Sequence, residues 1–201
     1  MAISSHKING PKGVGGLFVK KGSEINALIS GGGQENYLRS GTENVPGIVG
    51  FGKACDISMR QVLHIGTSVR EIRDHLVRKI KSNIPRARYN GPSDTSYRLP
   101  NIAHFTFEGV NGEDLIIKLD EHGVAASTGS ACAAKKQKES HVLRSMGFSP
   151  PEISGSLRFS LGPSNTMNEV DDAAAALKVV IDQLSKLSPY SEGKLSRPKS
   201  L

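Results

Sequence analysis

Tryptophan is absent, and six phenylalanines and four tyrosines supply all the aromatic content of the 201 residues. So few rings leave little with which to stack nucleic-acid bases, which need exposed aromatic platforms. The formal charge of +7 points the other way, but the positive residues are scattered: Lys20 and Lys21, Arg78 to Lys81, Arg86 and Arg88, Lys135 to Lys138, and the tail. They form no basic stripe, so no nucleic-acid partner is expected. A basic enzyme that attracts an anionic cofactor accounts for the charge equally well.

Long apolar runs are lacking too. Nothing approaches the roughly 18 consecutive apolar residues of a membrane span, and MAISSHKING lacks the charged-then-apolar order of a secretion signal. Cysteine occurs twice, at Cys55 and Cys132. Two cysteines give no disulfide framework and no CxxC pair for a metal, and free thiols fit a reducing compartment. A cytoplasmic protein without a membrane partner or a metal is expected. With 37% hydrophobic and 22% charged residues, the chain can bury a core.

What is present alternates between strand and helix signals. MAISS reads as the end of a strand entering the glycine-rich turn GPKGVGG, followed by a short apolar run from Leu17 to Val19. A long polar loop, GGGQENYLRSGTEN, comes next, and loops of this length are usually functional or disordered. From Pro46 to about Asn83 a helix is predicted. Its stripe Ile65, Val69, Ile72, Leu76 and Ile80 steps by 4, 3, 4 and 4 residues, and Gly66 leaves open whether it is one helix or two. Cys55 in this stretch is expected to pack.

Asn101 to Phe107 alternates as a strand, and Asn111 caps a helix that stops at Gly123. A short strand from Val124 to Ser127, a loop carrying Cys132, a helix at His141 to Met146 and a strand at Leu157 to Leu161 are predicted to follow. The last helix opens with Thr166 and Glu169, a capping box, and runs through Leu187. The order is that of a small α/β unit. The segment 188–201 is rich in Ser, Pro, Lys and Arg and is expected to be a disordered tail.

Three places carry candidate chemistry. Lys7 follows Ser4, Ser5 and His6 in a turn after a strand, a setting that offers hydroxyl, imidazole and backbone donors to an anion beside an amine. Most lysines in such turns are solvated. Cys132 lies in STGSACAAKKQK, where Lys135, Lys136 and Lys138 would favour the thiolate; the alternative is a small buried hydrophobe. Arg158 alternates with Leu157 and Phe159 and so faces away from them, as a carboxylate clamp or as a solvated charge.

The stretch SSHKINGPKGVGGLFV resembles the cofactor-lysine segment of the NifS-like cysteine desulfurases of the class-V aminotransferase family. GGGQENYLRSGTENVPGIVGFGKA resembles the segment after it, STGSACAAKKQKESHVLRSMG their cysteine loop, and SGSLRFSLG their substrate-carboxylate strand. The resemblance runs from about Met1 to Leu187, in family order. It implies a fold-type-I enzyme dependent on pyridoxal 5'-phosphate, normally a homodimer, that takes sulfur from L-cysteine and leaves L-alanine. Selenocysteine, which shares the carboxylate, amine and cofactor chemistry, stays open as an alternative substrate.

By that resemblance Lys7 is the Schiff-base lysine, Ser4, His6 and Thr42 bind the cofactor phosphate, Arg158 holds the substrate carboxylate, and Cys132 carries the sulfur as a persulfide. The GSAC form of the loop resembles the branch that feeds a sulfur acceptor or iron–sulfur scaffold protein. Family members are longer before the lysine, so the chain is expected to be a carboxyl-terminal half. Residues 1–85 would end the large cofactor domain, and 86–187 would form the small α/β domain. A fragment, a split enzyme needing a separate amino-terminal half, or an inactive binding module all fit that expectation. A cysteine hydrolase pairing Cys132 with His122 or His141 would leave Lys7 and the SGTEN loop unexplained.

Overall fold

Side chains along a strand alternate between two faces, and the sequence uses that period most clearly in IAHFTF and SLRFS. The computed structural model describes residues 1–129 and 140–187 and divides into two units, Met1–Leu63 and His64–Leu201.

In the first unit, β1 (Ala2–Ser4) pairs antiparallel with β2 (Gly15–Leu17), Ala2 facing Leu17 and Ser4 facing Gly15. The second strand thus starts two residues before the apolar run that predicted it. Helix α1 (Val45–His64) follows the long loop, and Asn44 Oδ1 caps it by accepting the Gly47 N–H at 3.2 Å. Within residues 1–63 only Ser5, Ser40, Gly47 and Ala54 are buried. Leu17, Phe18, Leu28, Val49 and Leu63 are exposed. Cys55, expected to pack, is exposed as well; the inward residue at this level of α1 is its neighbour Ala54.

The second unit begins in a π-turn at Ile65–Val69 that carries Gly66, and the chain continues as α2 (Arg70–Asn83). Then come β3 (Ala87–Tyr89), β4 (Ile102–Phe107), α3 (Gly112–Glu121), α4 (His141–Ser145), α5 (Pro150–Ser154), β5 (Ser156–Ser160) and α6 (Met167–Leu187). The three strands form one antiparallel sheet in the order β3-β4-β5. The unit boundary at Leu63/His64 groups α2 with this sheet, where Leu76 and Ile80 join the core.

One face of the sheet is apolar. Ala103, Phe105 and Phe107 of β4 and Leu157 and Phe159 of β5 are buried against α2, α3 and α6. Leu115, Leu119 and Leu177 are fully buried there, each contributing about 1.5–3 kcal/mol relative to exposure. The caps follow the sequence signals. Asn111 Oδ1 accepts the Glu113 N–H at 2.8 Å, and Thr166 and Glu169 close their reciprocal box at 2.8 and 3.2 Å.

Other local results depart from expectation, among them strand β3, which the sequence reading did not predict. Val124 to Ser127 is no strand: the Val124 N–H turns back to the Leu119 carbonyl at 2.9 Å, and only Ser127 bridges to Arg158. Helix α5 was not predicted, although Ser149, Pro150 and Glu152 spell a helix start. Glu152 is nearly fully buried and accepts both the amide and the hydroxyl of Ser149 at 2.7 Å; its other oxygen meets Arg88 Nη1 at 2.8 Å. Burial pushes the Glu152 carboxyl up, but the Ser149 donors and Arg88 outweigh it and hold the group below its ordinary range. Among the described residues no helix is long and apolar enough to cross a membrane.

The corner between α5 and β5 depends on Gly155. A Cβ there would stand 2.5 Å from the Phe107 carbonyl oxygen and 2.9 Å from that of Val110, both backbone atoms that cannot rotate away. Gly155→Ala is expected to lower unfolding stability by about 1–3 kcal/mol in a urea titration. An unchanged midpoint would mean that this corner yields freely.

Candidate functional site

The lysine turn is built by local chemistry. Ser4 ends β1 in an extended conformation, Ser5–Ile8 makes one 3-10 turn, and Asn9 closes it in the left-handed region at φ 62°. Ser5 lies underneath, with its N–H on the Val14 carbonyl at 3.1 Å and its carbonyl accepting the Gly10 N–H at 3.0 Å. A Cβ at Gly10 would collide with the Ser5 hydroxyl at 2.1 Å, so the absence of a side chain there lets the turn close over a buried serine. Ser5 being inward, Ser4, His6 and Lys7 are all exposed on one short turn. The Ser5 hydroxyl is buried without a hydrogen-bond partner among the described residues.

Thr42 lies on the loop before α1. Glu35, Asn36 and Tyr37 all have positive φ, and the bend they make is tied by Ser40 Oγ donating to the Gly32 carbonyl at 2.8 Å and the Gly41 N–H donating to Gln34 Oε1 at 3.1 Å. The Arg39 guanidinium also donates to the Ser40 carbonyl. Ser40 is buried and Thr42 exposed, so the loop is anchored two residues before its candidate side chain. The apolar depression lined by Met1, Leu17, Phe18, Val19 and Ile25 contains none of Ser4, His6, Lys7 or Thr42.

In the second unit the polar face of the sheet presents Arg158. Its N–H and carbonyl both bond to Ser127, at 2.6 and 3.1 Å, on the side of β5 away from β4. Opposite His104 on β4, Arg158 therefore forms a non-hydrogen-bonded pair, the kind in which side chains approach most closely. Its Nε is buried and has no hydrogen-bond partner among the described residues.

His104 is itself held. The Asn90 side-chain nitrogen contacts His104 Nδ1 at 2.8 Å and donates to Thr106 Oγ1 at 2.9 Å, while the Asn90 N–H donates to the His104 carbonyl at 2.8 Å. Burial first, and then the Arg158 charge, push the His104 pKa from 6.5 down to about 4. Sequence reasoning singled out Arg158 and missed this pair; the available signal was the alternation that puts His104 and Thr106 on the face opposite Phe105.

Cys132 lies outside the described residues. His122 caps the end of α3 and His141 opens α4, both exposed. The structure thus places Ser4, His6 and Lys7 on one turn, Thr42 on a loop of the same unit, and Arg158 in the second unit.

His104 makes stability depend on pH with a definite sign. Its folded pKa lies below the unfolded value, so the unfolded chain takes up a proton that the folded chain refuses between these two pH values. Stability should be intact above about pH 6.5 and fall as pH drops toward 4, by up to about 3 kcal/mol from this group. Urea titrations of the wild type and His104→Asn across that range isolate the component, which the variant should lack. Equal pH dependence of the two proteins would show that His104 titrates freely.

Comparison with known proteins gives the family. The sequence model described as Aminotransferase class-V matches residues 1–172. A cysteine desulfurase IscS of Clostridium botulinum is 44% identical over 192 residues, covering 96% of this chain and 48% of the relative. A cysteine desulfurase IscS of Dictyoglomus turgidum is 41% identical with the same coverage. The crystal structure of a NifS-like protein from Rickettsia africae superposes with a TM-score of 0.80 at 31% identity, over 90% of this chain and 47% of that one. Another NifS-like protein gives 0.79 at 34% identity, over 91% and 46%. The chain therefore spans about half the length of the curated relatives it matches, and its α/β fold is related to theirs. With the family match covering most of its length and all its candidate residues but none of the tail, the chain belongs to the class-V aminotransferase family.

Proposed function

We propose that this chain is the carboxyl-terminal half of a cysteine desulfurase, with residues 1–85 ending the large cofactor domain and 86–187 forming the small α/β domain. The observation that carries the reading is the 44% identity over 192 residues, 96% of this chain, to a cysteine desulfurase. The cofactor implied by the family is pyridoxal phosphate. When bound, it supplies an electron sink for bond cleavage at the substrate carbons.

The residues of the first unit fit such a group. Ser4, His6 and Lys7 share one exposed turn, so a hydroxyl, an imidazole and an amine are available together, and the buried Ser5 hydroxyl beneath them has no partner among the described residues. Ser4 and His6 would grip the phosphate, with Thr42 as a further donor contributed across a homodimer interface. Lys7 would hold the carbonyl end of the cofactor and move protons at the substrate α- and β-carbons.

Arg158 would hold the carboxylate of L-cysteine. Its charge is permanent, and its Nε–H has no partner among the described residues. Cys132 would take the sulfur, so that L-cysteine and the Cys132 thiol become L-alanine and a Cys132 persulfide. A sulfur acceptor or iron–sulfur scaffold protein in the cytoplasm would then receive it.

One observation favours a second form of this reading, in which the chain works only with a separate amino-terminal half. The first unit buries just four of its 63 residues and leaves Leu17, Phe18, Leu28 and Val49 exposed, apolar side chains that a further protein surface would cover.

The test is to add pyridoxal phosphate to the purified chain and record its visible absorbance, with Lys7→Ala beside it, and then to measure sulfide release from L-cysteine. A bound-cofactor band that requires Lys7, with release that Cys132→Ala abolishes, is the expected result for a self-sufficient enzyme. No band from the chain alone, and a Lys7-dependent band when an amino-terminal half is supplied, selects the split form. No Lys7-dependent band in either case would sink the reading.

A further inference from the structure

The polar face of the second unit's sheet holds a residue that the reading above leaves without a task. We propose that His104 is the positioning residue of Arg158: its ring, fixed by Asn90, flanks the arginine side chain and fixes the direction in which the guanidinium meets a carboxylate. The proposal rests on the reading of Arg158 as the carboxylate clamp.

Three observations carry it. Arg158 spends both backbone groups on Ser127, which makes the His104 pair the close-approach kind and brings the two side chains together on one face. The imidazole cannot turn away, because Asn90 grips Nδ1 while its own N–H holds the His104 carbonyl. Asn90 is in turn buried and fixed, with Arg98 Nη1 donating to its carbonyl at 2.7 Å and its amide shared with Thr106. A chain of hydrogen bonds runs from Arg98 through Asn90 to His104, which stands opposite Arg158 in the strand register.

The energetic logic is one of pre-organisation. An arginine side chain loses several rotatable bonds' worth of freedom when it clamps a ligand, about 0.5–1.5 kcal/mol for an immobilised side chain of this kind. A fixed neutral ring alongside removes part of that cost in advance. A second cation directly opposite would repel the guanidinium, and a neutral imidazole avoids this while still filling the space. The buried Nε without a partner agrees with a guanidinium held by packing on its flank rather than by a carboxylate of this chain.

The experiment uses the 15N-labelled full chain. The Nε–Hε resonance of Arg158 is assigned by its loss in Arg158→Lys, its exchange with water is measured, and L-alanine, a carboxylate of the substrate's size, is titrated in. In His104→Ala, exchange is expected to accelerate about tenfold or more and L-alanine to bind about tenfold more weakly, with the circular dichroism spectrum unchanged. His104→Phe keeps a ring of similar size, guards against a misfolded alanine variant, and should recover part of the exchange protection.

If both variants leave exchange and affinity as in the wild type while Arg158→Lys abolishes binding, the His104 proposal is overturned and the clamp stands. If the wild type binds no L-alanine but Nε–Hε exchange still depends on His104, positioning stands and the clamp reading fails. If neither binding nor exchange responds, both fail.

Discussion

The pairing of β4 with β5 is the constraint on which the second unit depends. One register, Phe105 against Leu157 and His104 against Arg158, sends the aromatic and aliphatic side chains to the helices and the arginine to the opposite face. A slip of one residue would bury Arg158 among Phe105, Leu115 and Leu177 and expose Leu157 and Phe159. The cost of an unpaired buried guanidinium makes that slip prohibitive. The apolar core therefore also aims the candidate clamp, and folding energy and site geometry are set by the same alternation.

The first unit is organised differently. Its fixed points are polar and local: Ser5 under the closed turn, Ser40 anchoring the loop before Thr42, Asn44 capping α1. None of these makes a core, and only Ala54 among its large-helix residues is a buried hydrophobe. Its candidate residues are thus placed by turn chemistry, which specifies direction but contributes little stability. Loop-borne groups on so poorly buried a frame are held by few contacts of that frame.

What could be read from the sequence follows the same division. Helix α6, its Thr166–Glu169 box, the Asn111 cap and the two central strands were legible because period and capping are local signals. Gly66 marked the π-turn without telling that the chain would stay helical through it. Cys55 was misjudged because an apolar period shows that a helix has a face, not which face lacks cover. For His104 the local alternation gives a face but no partner. Its meaning arises from a residue 54 positions away, brought opposite by strand register. Local chemistry marks Lys7 with Ser4 and His6, and Arg158, as candidates without deciding between a site and a solvated side chain, and Thr42 enters only through the family resemblance.

Three other arginines of the second unit show why Arg158 stands apart. Arg73 is completely buried, with Nε 2.7 Å from Asp74 and Nη1 donating to the Leu99 carbonyl at 3.0 Å. Arg88 meets the buried Glu152 and lies 4.6 Å from the centre of the Phe148 ring. Arg98 lies over Tyr89 at 3.8 Å and holds the Asn90 carbonyl. Each is engaged by groups the fold itself supplies, so removing one would leave a buried charge, carbonyl or ring without its partner. Arg158 has its backbone fixed at Ser127, a neutral ring across from it, and no acid of this chain against it among the described residues. Under the reading proposed above, a small carboxylate would pair with this permanent cation, its two oxygens matching the planar donors of the guanidinium.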